Sequence, residues 1–514
     1  MSATVPELLP QERPTRFDRA LARIRSNPVA ARRADVLAPV LLTVFAGLLR
    51  LVGLGHPAVL VFDETYYVKD AWSQWNLGYT ATWPEDADGP FAAGAVDAFH
   101  TAPSFSVHPP LGKWLIALGM WAVGPENPFG WRLATALFGT LLVLLVYLVA
   151  KTLTGSTPLA TLAGFLTAID GLAIVLSRVA LLDGFLAVFA LLACWFVLLD
   201  QRTHIRRLAR VLADRDPAPR WGPVLWGRPW LVAAGAAAGA ACAVKWSGVY
   251  VLAALGLYVV VVDALVRRRL RVANWPADGI RQGAAAFLLM VPVAFLVYLA
   301  SWTGWLLGDD GYDRHSADRD PATGIWSWVP LSLQSLWRFH EGVYRFHVGL
   351  ATPHGYESEA WQWPLLIRPT SMFWEQDGAR VQAISSIPNP VIWWAGVAAV
   401  MFVGYRFVRT RRVEYGFVLT GIAATYMPWL LYPERTIFQF YTVAVLPFLV
   451  LAIALATRDL TRAREVDRRL AGQRTVAVFV VLATLLSAFW YPVWVAAEVP
   501  YDFWRLHNWL PTWV

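Results

Sequence analysis

The chain has 514 residues, 57% of them hydrophobic and 16% charged, with a formal net charge of +8. Its mean hydropathy of +0.45 excludes an ordinary soluble domain, whose apolar and charged residues are closer to balance. The two cysteines, Cys194 and Cys242, both fall inside apolar stretches, which excludes a disulfide scaffold and spells no metal motif.

The first 35 residues are polar and Arg-rich. The apolar stretch after them is too long for a signal-peptide core and lacks a small-residue cleavage site. Residues 1–35 therefore read as a basic cytoplasmic segment. Apolar stretches long enough to cross a bilayer as a helix, about 20 residues, then recur near 36–54, 129–150, 157–176, 181–200, 229–246, 248–266, 282–306, 391–408, 414–432, 437–457 and 474–496. The pattern predicts an all-α polytopic membrane protein of eleven spans. The segment 111–123 is apolar but short, with Lys113 and flanking tryptophans, and reads as an interfacial or re-entrant helix.

With the N-terminus in the cytoplasm, the inner segments hold 29 of the 44 Lys and Arg residues. They include RRRLR (267–271), RTRR (409–412) and the run containing Arg462, Arg464, Arg468 and Arg469. This is the positive-inside asymmetry expected of short loops. It accounts for the net charge without a nucleic-acid partner.

Residues 36–306 then form a transmembrane catalytic region with a first outer loop at 55–128. A second outer loop covers 307–390, and 391–514 is a four-span-like C-terminal membrane region with three predicted spans and an outer tail. In the second loop, WSWVPLSLQSLWRFHEGVYRFHVGL has apolar residues at helical spacing, which suits a helix on the membrane surface. His340 and His347, seven apart on it, are too few to argue a metal site. The acidic runs DADG (86–89) and DGYDRHSADRD (310–320) read as solvated loop.

Polar residues that are costly near lipid gather at the outer ends of the spans. Asp63 and Glu64 follow the first span; charged groups so placed are by default a hint of function. His108 and Lys113 precede the short helix, Arg178 and Asp183 lie between the third and fourth spans, and Lys245 ends the fifth. Glu434 and Arg435 occupy the tight loop between the ninth and tenth. Each has a plainer reading: Arg178 pairing Asp183, Lys245 snorkelling, Glu434 pairing Arg435, His108 shaping a Pro-Pro turn. Taken together they fit a carboxylate acting as general base on an attacking hydroxyl and cations holding a leaving phosphate. Nucleotide-binding Gly-rich loops are absent, so a lipid is the more natural phosphate carrier.

Five stretches in order resemble the protein O-mannosyltransferases, multi-spanning enzymes of the C-type (GT-C) glycosyltransferase fold. They are FDETYYVKDAW (62–72), HPPLGKW (108–114), SRVALLD (177–183), VKW (244–246) and ATPHGYESEAWQWPLLIRP (351–369). The resemblance implies transfer of mannose from polyprenyl-phosphate mannose to Ser or Thr of an exported polypeptide, by an inverting single displacement at the extracytoplasmic face of the plasma membrane. It implies Asp63 as base and Glu64 as a positioning group for acceptor or sugar hydroxyls. Arg178, then Lys245 and Arg435, would clamp the phosphate, with Asp183, His108 and Lys113 shaping the donor pocket. His354, Tyr356 and Trp363 would shape the acceptor side. No cofactor or metal is demanded, a divalent ion is not implied, and the secretion machinery is a conceivable partner.

The second loop is too short for the β-trefoil repeats of eukaryotic members, which points to a bacterial member. The Ala-, Arg-, Val- and Trp-rich composition suggests an actinobacterial one. Two alternatives stand beside this reading. One is a related enzyme transferring sugar to a lipid or glycan. The other is a secondary transporter, for which repeated halves and midplane charges are the expected signs.

Overall fold

The computed structural model describes residues 14–213, 219–463 and 465–514; residues 1–13 of the basic N-terminal segment and Arg464 lie outside them. The chain begins with α1 (Arg16–Ser26) and α2 (Pro28–Leu51). Asn27 accepts the backbone N–H groups of Val29 and Ala30 and starts α2 at Pro28, the favoured Asn-then-Pro helix entry. The 55–128 segment carries α3 (Glu64–Leu77), α4 (Asp88–Ala92) and α5 (Leu111–Val123). At 13 residues, α5 is too short to span, as its sequence predicts.

Then follow α6 (Pro128–Thr154), α7 (Thr157–Ile169), α8 (Gly171–Arg178), α9 (Asp183–Ala213), α10 (Pro229–Val244), α11 (Gly248–Arg269), α12 (Trp275–Ser301) and the short α13 (Thr303–Leu307). The expected span at 157–176 is two helices meeting at 58°. Asp170 breaks it by capping α8 through the Ala173 N–H at 3.1 Å, while its other oxygen accepts the Asn389 N–H at 3.0 Å.

The 307–390 segment contains α14 (Leu331–Gly349), the helix expected from its apolar periodicity. Membrane helices resume with α15 (Pro390–Thr410), α16 (Val413–Thr425), α17 (Leu446–Thr461) and α18 (Val466–Trp494), and α19 (Tyr501–Arg505) sits in the tail. One element departs from the all-helical expectation. Strands β1 (Ser371–Asp377), β2 (Arg380–Ser385) and β3 (Val499–Pro500) form a small antiparallel sheet in that order. Its hairpin turns through Gly378-Ala379, with Gly378 at φ +55°, a turn signal hidden among aromatic residues.

Among the described residues seven helices combine the length and apolarity of a span, and the bent α7–α8 pair makes an eighth. The three remaining expected spans fall on α10, α16 and α17, of 16, 13 and 16 residues. Helix length alone thus supports seven or eight crossings of this multi-pass protein. The outward faces of α2, α12 and α18 expose Leu41, Leu48, Phe295, Leu296, Val478 and Leu485, an apolar girdle that suits lipid and not water.

Two devices hold the bundle together. Gly235 and Gly239 on α10 face the backbone of Met290 and Ala294 on α12 with no room for a Cβ, the small-residue contact by which membrane helices approach closely. Arg228 is buried between Asp200 and Asp263, at 2.5 Å from each. Two of the arginines in the segments expected to face inward, Arg228 and Arg267, are therefore structural ion-pair partners, the second through Asp278 at 2.7 Å.

Candidate active site

The 55–128 and 307–390 segments meet: His347 of α14 and the Val107 carbonyl lie 2.9 Å apart. The geometry around Asp63 starts with its neighbour. Glu64 is wholly buried and takes two parallel bonds from Arg132, Nε to Oε1 and Nη2 to Oε2, each 2.8 Å. It also accepts the backbone N–H groups of Ala180 at 2.7 Å and Val61 at 3.0 Å. Arg132 spends its remaining donors on the carbonyls of Leu54, Pro57 and Val59. Four bonds saturate the Glu64 carboxylate, so it faces the protein and not a substrate. The positioning role expected of it toward sugar hydroxyls gives way to anchoring the 54–64 turn.

That turn presents Asp63. Phe62 takes a left-handed φ of +49°, and Asp63 begins α3 without capping it by its side chain. Among the described residues its carboxylate has no hydrogen-bond partner, yet it lies within electrostatic reach of Lys245, Asp183 and Tyr67. Burial, opposed by Lys245 and reinforced by Asp183, pushes the Asp63 carboxyl up to about 6.

Lys245, which acts on Asp63 electrostatically, also lines a cavity of about 560 Å³ whose walls come from α10, α11, α12, α14 and the 428–441 segment. Its lining includes the polar groups Lys245, Arg435, His108, His347, Tyr250 and Tyr432 and the apolar Leu252, Val291, Ala294 and Phe295. Lys245 pairs with Asp183 at 2.7 Å and stands over the Tyr441 ring at 4.8 Å. Arg435 gives one N–H to His347 Nδ1 at 3.0 Å and keeps a buried, unpartnered Nε. The His108 and His347 rings stack at 5.4 Å. Burial and the surrounding cations hold His108 well below the ordinary imidazole value and bring His347 down to about 4. Both rings are thus neutral at pH 7, and the cations of the site are Lys245, paired with Asp183, and Arg435.

Of the residues expected to converge here, the structure brings together Asp63, Asp183, Lys245, His108 and Arg435. It takes Arg178 elsewhere. The Arg178 guanidinium donates to the carbonyls of Arg50 (3.0 Å), Val52 (2.8 Å) and Gly53 (2.8 Å), capping the C-terminal end of α2. The expected pairing of Arg178 with Asp183 yields to that role, since Asp183 holds Lys245 instead. Lys113 is buried behind the cavity, bonding the Ser106 hydroxyl, the His108 carbonyl (3.2 Å) and Asp70 (3.5 Å), so it shapes the His108 loop.

On the far side, His354 meets Phe62 edge-on at 6.0 Å. Tyr356 donates its backbone N–H to His354 Nδ1 and lies under Arg368. Trp363 is a packed hub, its indole N–H donated to Ser358 and its ring against Tyr426, Trp429 and Tyr441. The sequence reading missed Arg132, Tyr250, Tyr432 and Tyr441, and took His347 only as a weak metal ligand. Arg132 alone carried a signal, a cation near the start of an apolar helix. Among the described residues no cluster of three potential metal ligands occurs.

The profile of the dolichyl-phosphate-mannose-protein mannosyltransferase family matches residues 40–307. That of the C-terminal four-span region of protein O-mannosyltransferases matches 332–513. Over 494 residues the chain is 33% identical to the polyprenol-phosphate-mannose–protein mannosyltransferase of Mycobacterium tuberculosis H37Rv, covering 92% of this chain and 91% of that protein. The Corynebacterium glutamicum protein of the same name is 30% identical over 504 residues, covering 94% of each. In fold, it is similar to a chain of the Saccharomyces cerevisiae Pmt1-Pmt2 complex bound to the sugar donor, with a TM-score of 0.70, 15% identity, and coverage of 98% of this chain and 94% of that one. The chain belongs to the dolichyl-phosphate-mannose-protein mannosyltransferase family and has the GT-C fold.

Proposed function

We propose that this enzyme transfers mannose from polyprenyl-phosphate mannose to Ser or Thr hydroxyls of exported polypeptides, by an inverting single displacement at the extracytoplasmic face of the plasma membrane. The observation that carries the reading is the mixed polar and apolar lining of the cavity that Lys245 and Arg435 share. A sugar-phosphate lipid needs cations and hydroxyls around its head and hydrocarbon around its first isoprene units, and the wall offers both.

In the proposed reaction Asp63 accepts the proton of the acceptor hydroxyl as that oxygen attacks the mannose C1 from the face opposite the phosphate. The C1–O bond to phosphate breaks, and its electron pair leaves on polyprenyl phosphate. Arg435, with its spare Nε–H, and Lys245 steady that charge. Asp183 keeps Lys245 aimed at the cavity, while neutral His108 and His347 contribute hydrogen-bonding surface without competing for the proton. A base near pH 6 is well matched to its task, since it is ionised at neutral pH yet still basic enough to take a proton. One displacement needs one base, so a carboxylate pair spaced as in a retaining glycosidase is not required.

The face assignment rests on the inner-loop excess of Lys and Arg, which puts the N-terminus in the cytoplasm and the two outer loops, with Asp63, outside. Delivery by the secretion machinery would bring acceptors to that face while still unfolded. The test is transfer of labelled mannose from polyprenyl-phosphate mannose to a Ser/Thr-rich peptide by purified protein. Label on the peptide supports the reading; label on a lipid or glycan instead keeps the fold and replaces the acceptor.

A further inference from the structure

Helix α1 has 11 residues and buries none of them. An isolated helix that short is marginal in water, so its order needs a surface to lie against. Among the described residues its polar ties to the rest of the protein run through Asp18. That carboxylate accepts the Gln473 amide of α18 at 3.0 Å and pairs with Arg469 at 3.2 Å.

At about 100° per residue, Phe17, Leu21 and Ile24 share one face of α1, with Phe17 and Ile24 exposed and Leu21 partly so. Arg16 and Arg23 border that face on one side and Arg25 on the other, while Arg19 lies on the opposite face. Among the described residues none of these four arginines has an ion-pair partner. Residues 16–33 carry six arginines against one acid, Asp18. Topology setting accounts for that charge, but not for an apolar face left outside the protein.

What α1 is attached to selects its partner. Only Asn27 separates it from α2, whose exposed Val36, Leu37, Val40 and Leu41 belong to the apolar girdle. With 24 residues, α2 is about 36 Å long, against about 30 Å of hydrocarbon. Its first turn therefore reaches the headgroup layer, and α1 starts there. An apolar stripe edged by arginines fits that layer, the stripe entering the acyl boundary while the guanidinium groups reach phosphates. We propose that α1 binds anionic phospholipid at the membrane surface, with Phe17, Leu21 and Ile24 inserted and Arg16, Arg23 and Arg25 on the headgroups.

The test uses the full-length protein in lipid nanodiscs, with amide hydrogen exchange read over residues 16–26. Discs of phosphatidylcholine alone are compared with discs that also contain phosphatidylglycerol. The anionic discs should protect these amides at least about tenfold more, a modest share of the roughly fivefold that each arginine near an anionic surface contributes. The gain should shrink as salt rises. R16Q/R23Q/R25Q should abolish it, since Gln keeps the helix propensity of Arg, and R19Q should keep it. L21Q/I24Q should lose protection in both kinds of disc. Equal protection in both lipids, a gain that survives R16Q/R23Q/R25Q, or one lost in R19Q overturns the binding of anionic lipid by this face. Protection that survives L21Q/I24Q means that a protein contact orders the helix, and overturns it as well.

Discussion

Glu64 and Arg132 form a wholly buried, two-pronged ion pair with both bonds at 2.8 Å, and the residue next to that pair is the proposed base. The pair converts a flexible loop after α2 into a fixed turn, since the same guanidinium also holds three backbone carbonyls. Removing one partner leaves the other charged and unpaired in a dry site, which costs about 3–5 kcal/mol. We expect Glu64→Ala and Arg132→Ala to lower unfolding stability by that order, measured by thermal denaturation in detergent. Arg132→Lys keeps the charge but loses the fork, so it should be destabilised as well and should lose turnover through the drifting Asp63 turn.

Asp63→Asn should behave in the opposite way. Its carboxylate holds no part of the fold and is partly stripped of water. Turnover should fall at least about 10²-fold, the scale of a lost general base, with the melting temperature unchanged or raised. A well-folded Asp63→Asn protein with near-normal transfer would remove this residue from the mechanism.

The raised Asp63 value sets the pH profile. The base form is the ionised one, so activity should climb with pH, about tenfold per unit below pH 6, and level off above it. Asp183→Asn removes the like charge that helps raise Asp63, so the acid limb should move to lower pH. A profile whose acid limb is identical in wild type and Asp183→Asn would break the electrostatic link between the two carboxylates.

Much of this architecture is written in the sequence because lipid makes hydropathy decisive. Every apolar stretch from 36–54 to 474–496 falls on a helix, and the short, Lys-bearing 111–123 segment is indeed a separate helix. The two-helix form of 157–176 was not legible, since Asp170 makes its bend only by capping one helix and receiving Asn389 from 219 residues away. The same limit governs the site. Sequence position shows that Arg178, Lys245 and Arg435 share one end of the bundle, but not which way each guanidinium or ammonium group turns. That depends on whether backbone carbonyls, a carboxylate or an imidazole lies nearer.

The two arginines therefore give the sharpest separation. Arg178 neutralises three carbonyls at the end of α2 and adds a cation where the helix dipole is negative. Arg178→Ala leaves those acceptors without their donor and should cost about 3 kcal/mol of stability, with donor KM little changed in whatever protein remains folded. Arg435 has a spare N–H and lines the cavity. Arg435→Ala should leave the melting temperature within a few degrees of wild type and weaken use of the donor by about 10²-fold in kcat/KM, as expected for a charge-assisted contact to a phosphate. Arg435→Lys should restore part of it, because a point charge still faces the phosphate although the His347 bond is lost. Measuring melting temperature and donor kcat/KM on both variants decides the assignment. Stability loss from Arg435→Ala, or a donor defect in stable Arg178→Ala, would exchange their roles and return the phosphate clamp to the end of α2.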